Sequence, residues 1–200
     1  MDTPINKLDV KVMVVKTRIL FPKGISEGFI ADDAGLFLKL IRKNVEFKRR
    51  GDVEEDENYQ QIVAQIILTV EKKVLIHRIP ITGNEGRLHD MWPIFIGGHI
   101  DSTDKKIEKG LEREFEEELN YQGKITEKKY LGLIKKHDNP VNKVHIGLVW
   151  LYKGDSLNFA DNNDRGLADA RFFTAKELKK YENKLTYWSE IFLPYLKNYI

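Results

Sequence analysis

Apolar residues along this chain are grouped in two spacings, one suited to strands and one to helices. Ile62 to Val70 (IVAQIILTV) is a continuous β-branched run, and after Glu71-Lys72-Lys73 a second run, Val74 to Ile79, follows. Two such runs around a short polar turn predict a hairpin. Val10 to Val15, Lys129 to Lys135 and Val144 to Tyr152 are further strand candidates, the last two joined by the turn His137-Asp138-Asn139-Pro140. Helical spacing appears at Ala34 to Leu40, where Asp32 or Asp33 is a candidate N-cap, over residues 104–119, and at Ala175 to Tyr181 and Trp188 to Lys197. The polar segments 82–90 and 161–170 are expected to be loops. Strands on both sides of one central helix, followed by terminal helices, predict an α/β chain with a mixed sheet packed between helices. Residues 1–57 are too few for a substantial core of their own and are expected to be an extension packed on a main domain of residues 58–200.

Composition narrows the function. The 200 residues are 42% hydrophobic and 32% charged, enough for a sizeable core. Thirty-three basic and 31 acidic residues leave a net charge of +2, which makes no global case for nucleic-acid or anionic-membrane binding. The basic run Lys48-Arg49-Arg50 is followed by an acidic one from Glu54 to Glu57, the pattern of a solvated loop whose charges cancel locally. Cysteine is absent, so disulfides, thiolate metal sites and a cysteine nucleophile are excluded. No secretory signal pattern opens the chain and no apolar run approaches a membrane span, so a soluble, cytoplasmic protein is expected.

The most informative stretch is 97–121, GGHIDSTDKKIEKGLEREFEEELNY. On a helical wheel Ile107, Leu111, Phe115 and Leu119 form one core-facing stripe. Glu108, Glu112 and Glu116 belong to the solvated side, although Glu108 falls close to the stripe. Glu114, Glu117 and Glu118, spaced i, i+3 and i+4, share a face that overlaps the edge of the stripe. Three partly buried carboxylates repel one another, and a hard divalent cation with oxygen ligands relieves that repulsion. The alternative is an ordinary acidic helix with Arg113–Glu117 pairing. Gly110, one turn before Glu114, leaves room for a loop or ligand. Gly97-Gly98 follow an apolar strand-like segment, where a ligand could approach the backbone.

These residues resemble the signature of the Nudix (MutT-like) hydrolase superfamily, G-x5-E-x7-R-E-U-x-E-E-x-G-U, with U a bulky aliphatic residue. Gly98 matches the opening glycine and Arg113 to Glu118 match the R-E-U-x-E-E core, with Phe115 at U. The chain departs from the pattern at three places. Asp104 stands for the first glutamate, eight residues rather than seven separate it from Arg113, and Asn120 and Tyr121 replace the final glycine and aliphatic residue. The extra residue is expected to be absorbed in the loop or first turn, and Asn120 to serve as a left-handed helix end. RLHDMWPIFIGGHID and VHIGLVW are similar to the bacterial branch described as predicted phosphoesterases.

The resemblance implies a Nudix-type α/β/α sandwich and a hydrolase that uses Mg²⁺ or Mn²⁺ to cleave a diphosphate linkage in a nucleotide or nucleoside diphosphate derivative. It implies Glu114, Glu117, Glu118 and the Gly97 carbonyl as metal ligands, and Glu114, Arg113 and Glu117 as the catalytic set. Gly98, His99, Arg78 and Trp92 are the candidates for substrate contact. Asp161, Asp164 and Asp169 are candidates for a distal acidic ligand or base. A homodimer is compatible with it. The altered positions leave open a catalytically weakened binding or regulatory module.

Overall fold

The computed structural model describes residues 6–80, 88–161 and 167–200. Ten strands and six α-helices succeed one another in these segments: β1 (Lys11–Lys16), α1 (Thr17–Leu20), β2 (Gly28–Ile30), α2 (Ala34–Asn44), β3 (Glu46–Arg49), β4 (Tyr59–Val70), β5 (Lys73–Arg78), α3 (Ile107–Glu118), β6 (Leu119–Tyr121), β7 (Ile125–Lys135), α4 (Pro140–Val144), β8 (His145–Gly154), β9 (Phe159–Asp161), β10 (Ala168–Thr174), α5 (Ala175–Leu178) and α6 (Tyr187–Leu196). The main sheet runs β10-β5-β4-β8-β7-β2, with β1 and β3 joined to it through β4, while β6 and β9 form a small second sheet.

β4 is the axis of the molecule. It is buried along almost its whole length, as its unbroken apolar run requires of a central strand covered on both faces. On one side it pairs in parallel with β8 from Gln61↔His145 to Val70↔Gly154. Its other edge is shared by three partners: β1 at Val14↔Gln61 to Lys16↔Tyr59, the segment 96–100 in the middle, and β5 at the hairpin end.

Alternation along β4 separates two cores. Ile62, Ala64, Ile66 and Leu68 meet Ile107, Leu111 and Phe115 of α3 and Leu38 and Ile41 of α2. Ile67 faces the other way, with Val149 and Leu151 of β8, Leu178 of α5 and Phe192 and Leu196 of α6. The result is the expected α/β/α sandwich around a mixed sheet. A third, separate cluster of Val12, Val14 and Val53 lies at the β1 end.

Several local expectations change. The turn before β8 contains a short helix, α4, which Asn139 caps by accepting from the Asn142 N–H. Lys48 and Arg49 lie on β3 rather than in a loop. Their charges do cancel locally: Arg49 pairs with Asp9 and Asp52, Arg50 with Glu54. Segment 161–170, expected as a loop, includes the end of β9 and the start of β10. Both strands gain ladder hydrogen bonds that their polar composition does not announce. Helix α5 is one turn, with a Thr174–Glu177 capping box, and continues as a 3₁₀ helix to Lys184.

Candidate active site

The site is built where α3 crosses the segment 96–100. This segment is a broken strand. Ile66 and Ile96 exchange backbone hydrogen bonds of 2.8 and 2.9 Å, and Ala64 N–H donates to the Gly98 carbonyl at 2.7 Å. Between them Gly97 bends away with φ +140°, and a Cβ there would lie 2.3 Å from the Ala64 carbonyl oxygen. Only glycine fits this bend. The bend turns the Gly97 N–H toward Glu118 Oε2, which accepts it at 3.0 Å. At Gly98 a Cβ would lie 2.8 and 2.9 Å from the carboxylate oxygens of Glu114. Gly98 therefore makes the space that the Glu114 carboxylate occupies, and the Gly97 bend supplies a backbone donor to Glu118.

Arg113 organises the cluster. It donates to Asp104 through Nε and Nη2, both at 2.8 Å, to Glu114 at 2.8 Å, to Glu117 at 3.3 Å and to the His99 carbonyl at 3.0 Å. The bond to Asp104 raises the guanidinium further above its ordinary range. Burial pushes the Glu114 carboxyl up despite the adjacent Arg113 cation. Glu118 is displaced further, to about 8, by burial first and then by the charges of Glu114 and Glu117, against the opposing effect of the Gly97 N–H. No cation among the described residues pairs with Glu118. Glu116 is exposed, Glu108 is bound by Arg42, and Glu112 by Lys109 and Lys128.

The residues fit a hard divalent cation in kind. Three carboxylates and a glycine carbonyl are all oxygen donors, and one of the carboxylates, the half-buried Glu118, has no counter-charge among the described residues. They are not assembled in advance. Among the described residues no group of three acidic or histidine side chains stands at metal-ligand spacing, because Arg113 holds Glu114 and Glu117 toward itself.

Asp104 and the extra residue have a physical account. The loop before α3 turns through Lys105, which has a left-handed φ of 61°, and the helix begins at Ile107. The insertion is thus absorbed upstream of the glutamates. Asp104, buried at 8% exposure, also accepts from the Asp101 N–H at 2.9 Å. Gly110 gives its space to this loop: a Cβ would meet Ile100 at 2.9 Å and Asp104 at 3.0 Å. Asn120 is not a left-handed helix end. Leu119 is already extended at φ −135°, and the chain passes directly into β6, which pairs with β9.

Other candidates fall away from the carboxylates. His99 turns its ring to the opposite face of the strand from Gly98, as neighbours in extended chain do. Its Nε2 lies 3.0 Å from both Gln61 Oε1 and His145 Nε2. His145 Nδ1 must donate to the Val141 carbonyl, so the neutral pair requires His99 Nε2–H to be the donor. Burial and His145 hold His99 well below the usual imidazole range.

Trp92 is buried in the other core against Phe173 and Tyr181. Arg78 is engaged by Asp90 and Asp169. Both line a separate cavity of about 450 Å³ with His89, Asp90, Met91, Asn183 and Lys184, none of them on α3. Asp169 is therefore an ion-pair partner on the surface. Asp161 lies on β9 with its backbone opposite Leu119, the residue after Glu118. Asp164 lies outside the described residues. Sequence reasoning missed the Asp104–Arg113 pair; the shared motif position and the one-methylene shortening were its signal.

A sandwich with an acidic helix crossing a glycine bend at the edge of a central strand defines a Nudix-type pyrophosphohydrolase. The NUDIX domain model matches residues 58–196, and the chain belongs to that family. The protein YmaB of Bacillus subtilis (strain 168) is 25% identical over 208 residues, covering 96% of this chain and 99% of its own. The crystal structure of Tm1382, described as a proposed Nudix hydrolase, superposes with a TM-score of 0.79 at 27% identity, covering 95% of this chain and 100% of that one. The NUDIX domain of Shewanella oneidensis NrtR, crystallised with ADP ribose, gives a TM-score of 0.55 at 13% identity over 70% of this chain and 87% of its own, a likeness of fold alone. No helix of the described residues is long and apolar enough to cross a membrane.

Proposed function

We propose that this protein hydrolyses the diphosphate linkage of a nucleotide or nucleoside diphosphate derivative with the help of Mg²⁺ or Mn²⁺. The observation that carries the reading is Glu118: a half-buried carboxylate with no cation against it among the described residues, held by the Gly97 N–H and sharing its face with Glu114 and Glu117. Glu114, Glu117, Glu118 and the Gly97 carbonyl would hold the cation, which when bound neutralises phosphate charge and acidifies a bound water.

The chain's own groups do the rest. Asp104 fixes Arg113, so the guanidinium would stay in place when Glu114 turns from it to the cation. Arg113 then orients Glu117 by a charge-assisted bond. Glu114, whose carboxyl is raised by burial, is suited to accept a proton from water. Gly98, with no side chain, lets a phosphate approach the main chain.

The test is Mg²⁺- or Mn²⁺-dependent release of phosphate or nucleotide from a panel of nucleoside diphosphate derivatives, with Glu117→Gln as control. Activity indifferent to that substitution removes the reading. The unassembled state of the carboxylates favours a second reading, a nucleotide-binding module without turnover. Failure to bind millimolar Mn²⁺ or Mg²⁺ would select it.

A further inference from the structure

The chain from Met91 to Gly98 changes partners on its way to the site. Its first part pairs with β5: Ile79 N–H donates to the Met91 carbonyl at 2.9 Å and His77 N–H to the Pro93 carbonyl at 3.4 Å. From Ile96 onward it pairs with β4 instead. Ile94 and Phe95, between the two ladders, both bury their side chains in the cluster under α6. Successive residues of a regular strand point to opposite faces, so the backbone is turned here. Among the described residues no backbone group meets the Ile94 N–H or the Phe95 carbonyl. Two side chains do so. Ser189 Oγ accepts from the Ile94 N–H at 3.0 Å, and His77 Nε2 lies 3.1 Å from the Phe95 carbonyl oxygen.

A carbonyl only accepts, so the His77 ring carries its proton on Nε2. Burial keeps the imidazole neutral, with its value held down at about 4. Its Nδ1 is enclosed without a hydrogen-bond partner. Leaving a buried nitrogen unpaired costs stability. What the imidazole supplies here, and an apolar side chain could not, is the bond to Phe95.

Two consecutive peptide units carry that bond to the carboxylates. The Phe95–Ile96 peptide is fixed at both ends, its carbonyl by His77 and its N–H by the Ile66 carbonyl at 2.9 Å. The Ile96–Gly97 peptide comes next. Its carbonyl accepts from the Ile66 N–H at 2.8 Å, and its N–H donates to Glu118 Oε2 at 3.0 Å. Peptide units are planar and rigid, so a rotation of the first reaches the second through the Ile96 dihedrals. We infer that His77 is a positioning residue of the carboxylate site, setting through the backbone the direction in which Gly97 meets the glutamates. The inference rests on the reading of Glu118 and the Gly97 carbonyl as metal ligands.

Substitutions at two positions test it. His77→Gln keeps an N–H donor near the place of Nε2. His77→Asn carries its amide near the place of Nδ1, short of Phe95, and His77→Leu has no donor. Ser189→Ala removes the other side-chain bond of the crossover, on the more distant Pro93–Ile94 peptide. Mn²⁺ binding is measured by titration well below Tm, the bound ion by EPR, and turnover on the panel of nucleoside diphosphate derivatives. Expected for Leu and Asn is a Kd for Mn²⁺ raised at least about tenfold, the usual effect of losing a group that orients a metal ligand. Their EPR spectra should change, and the kinetic loss should fall in kcat rather than KM. Gln should recover most of the affinity and the wild-type spectrum. Ser189→Ala should lower Tm yet leave the Mn²⁺ Kd close to that of wild type. Unchanged metal affinity in Leu and Asn despite a lowered Tm would make His77 a residue of the fold alone and overturn the inference. So would Gln no better than Asn, or Ser189→Ala as damaging to metal binding as Asn. If Leu does not fold, Asn and Gln decide on the same terms. Wild type that binds no Mn²⁺ at millimolar concentration would sink the metal reading and this inference together, whereas Mn²⁺ bound equally by wild type and every variant would sink this inference alone.

Discussion

Arg113 meets Asp104 edge to edge, with Nε and Nη2 each 2.8 Å from one carboxylate oxygen, and the same guanidinium reaches Glu114 and Glu117 from its remaining side. Asp104 is thus the counterweight that keeps Arg113 from binding wholly to the acidic face. Asp104→Asn keeps the shape and removes the charge. Expected are a Tm lowered by several degrees, since a buried charge-assisted pair contributes about 1–3 kcal/mol, and Mn²⁺ binding weakened about tenfold as Arg113 shifts onto Glu114 and Glu117. Calorimetry and metal titration read the two effects separately; a variant with unaltered metal affinity would refute the counterweight role.

Glu118 contributes repulsion and desolvation to the metal-free fold. Glu118→Gln should therefore raise Tm without metal by a few degrees, on the order of 1 kcal/mol, while lowering Mn²⁺ affinity by more than about tenfold. A function-bearing group that costs stability has this paired signature. Thermal scans of both proteins with and without Mn²⁺ would show it, and a variant destabilised in the absence of metal would contradict it.

The same carboxyl predicts a pH dependence. Its folded value of about 8 lies above its ordinary value of 4.5, so the folded state binds more protons than the unfolded state between these limits. Stability from this group is full below pH 4.5 and falls as pH rises to 8. Relative to Glu118→Gln, the metal-free protein should lose Tm from about pH 6.5 to 8; the comparison cancels the opposite contributions of His77, His99 and Lys135, whose folded values lie below their ordinary ones. Glu118→Gln should flatten the slope, and Mn²⁺ affinity should climb with pH up to about 8 and then level off, because the proton and the cation compete. A slope unchanged in the variant would exclude Glu118 as its source.

The two glycines should part in their effects. Gly97→Ala puts a Cβ 2.3 Å from a backbone oxygen at a φ of +140°, and its expected cost is about 3 kcal/mol or more, or failure to fold. Gly98→Ala meets only the end of the Glu114 side chain. It should fold with a Tm within a few degrees of wild type yet bind Mn²⁺ at least about tenfold more weakly. Denaturant unfolding and metal titration on both variants check the difference.

How legible this molecule is depends on which force decides each part. Ile62 to Val70 announced a central strand because burial on both faces demands an unbroken apolar run, and the stripe of Ile107, Leu111 and Phe115 announced the core side of α3. The strands β3, β6, β9 and β10 were not legible, because an edge strand needs only ladder bonds and carries no compulsory side-chain pattern. Within the site, the face shared by Glu114, Glu117 and Glu118 followed from helical period. The grip of Arg113 on Asp104 and the outward turn of His99 did not, since each depends on how a loop and a broken strand approach the helix. Trp92 and Arg78 show the same limit: their residue types suit a substrate, but tertiary packing assigned one to a core and the other to Asp90 and Asp169.

One consequence concerns inheritance rather than chemistry. Met13 N–H donates to the Ile100 carbonyl at 2.7 Å and Ser102 N–H to the Lys11 carbonyl at 2.8 Å, so β1 borders the loop that delivers Asp104 to Arg113. The family match begins only at residue 58. The strand that borders this loop therefore lies ahead of the span that the family model matches. A fragment cut at residue 58 would expose the raw edge of β4 and of that loop to solvent and to other copies, inviting strand-to-strand aggregation. The segment ahead of the matched span thus covers the edge of β4 and of the loop before α3.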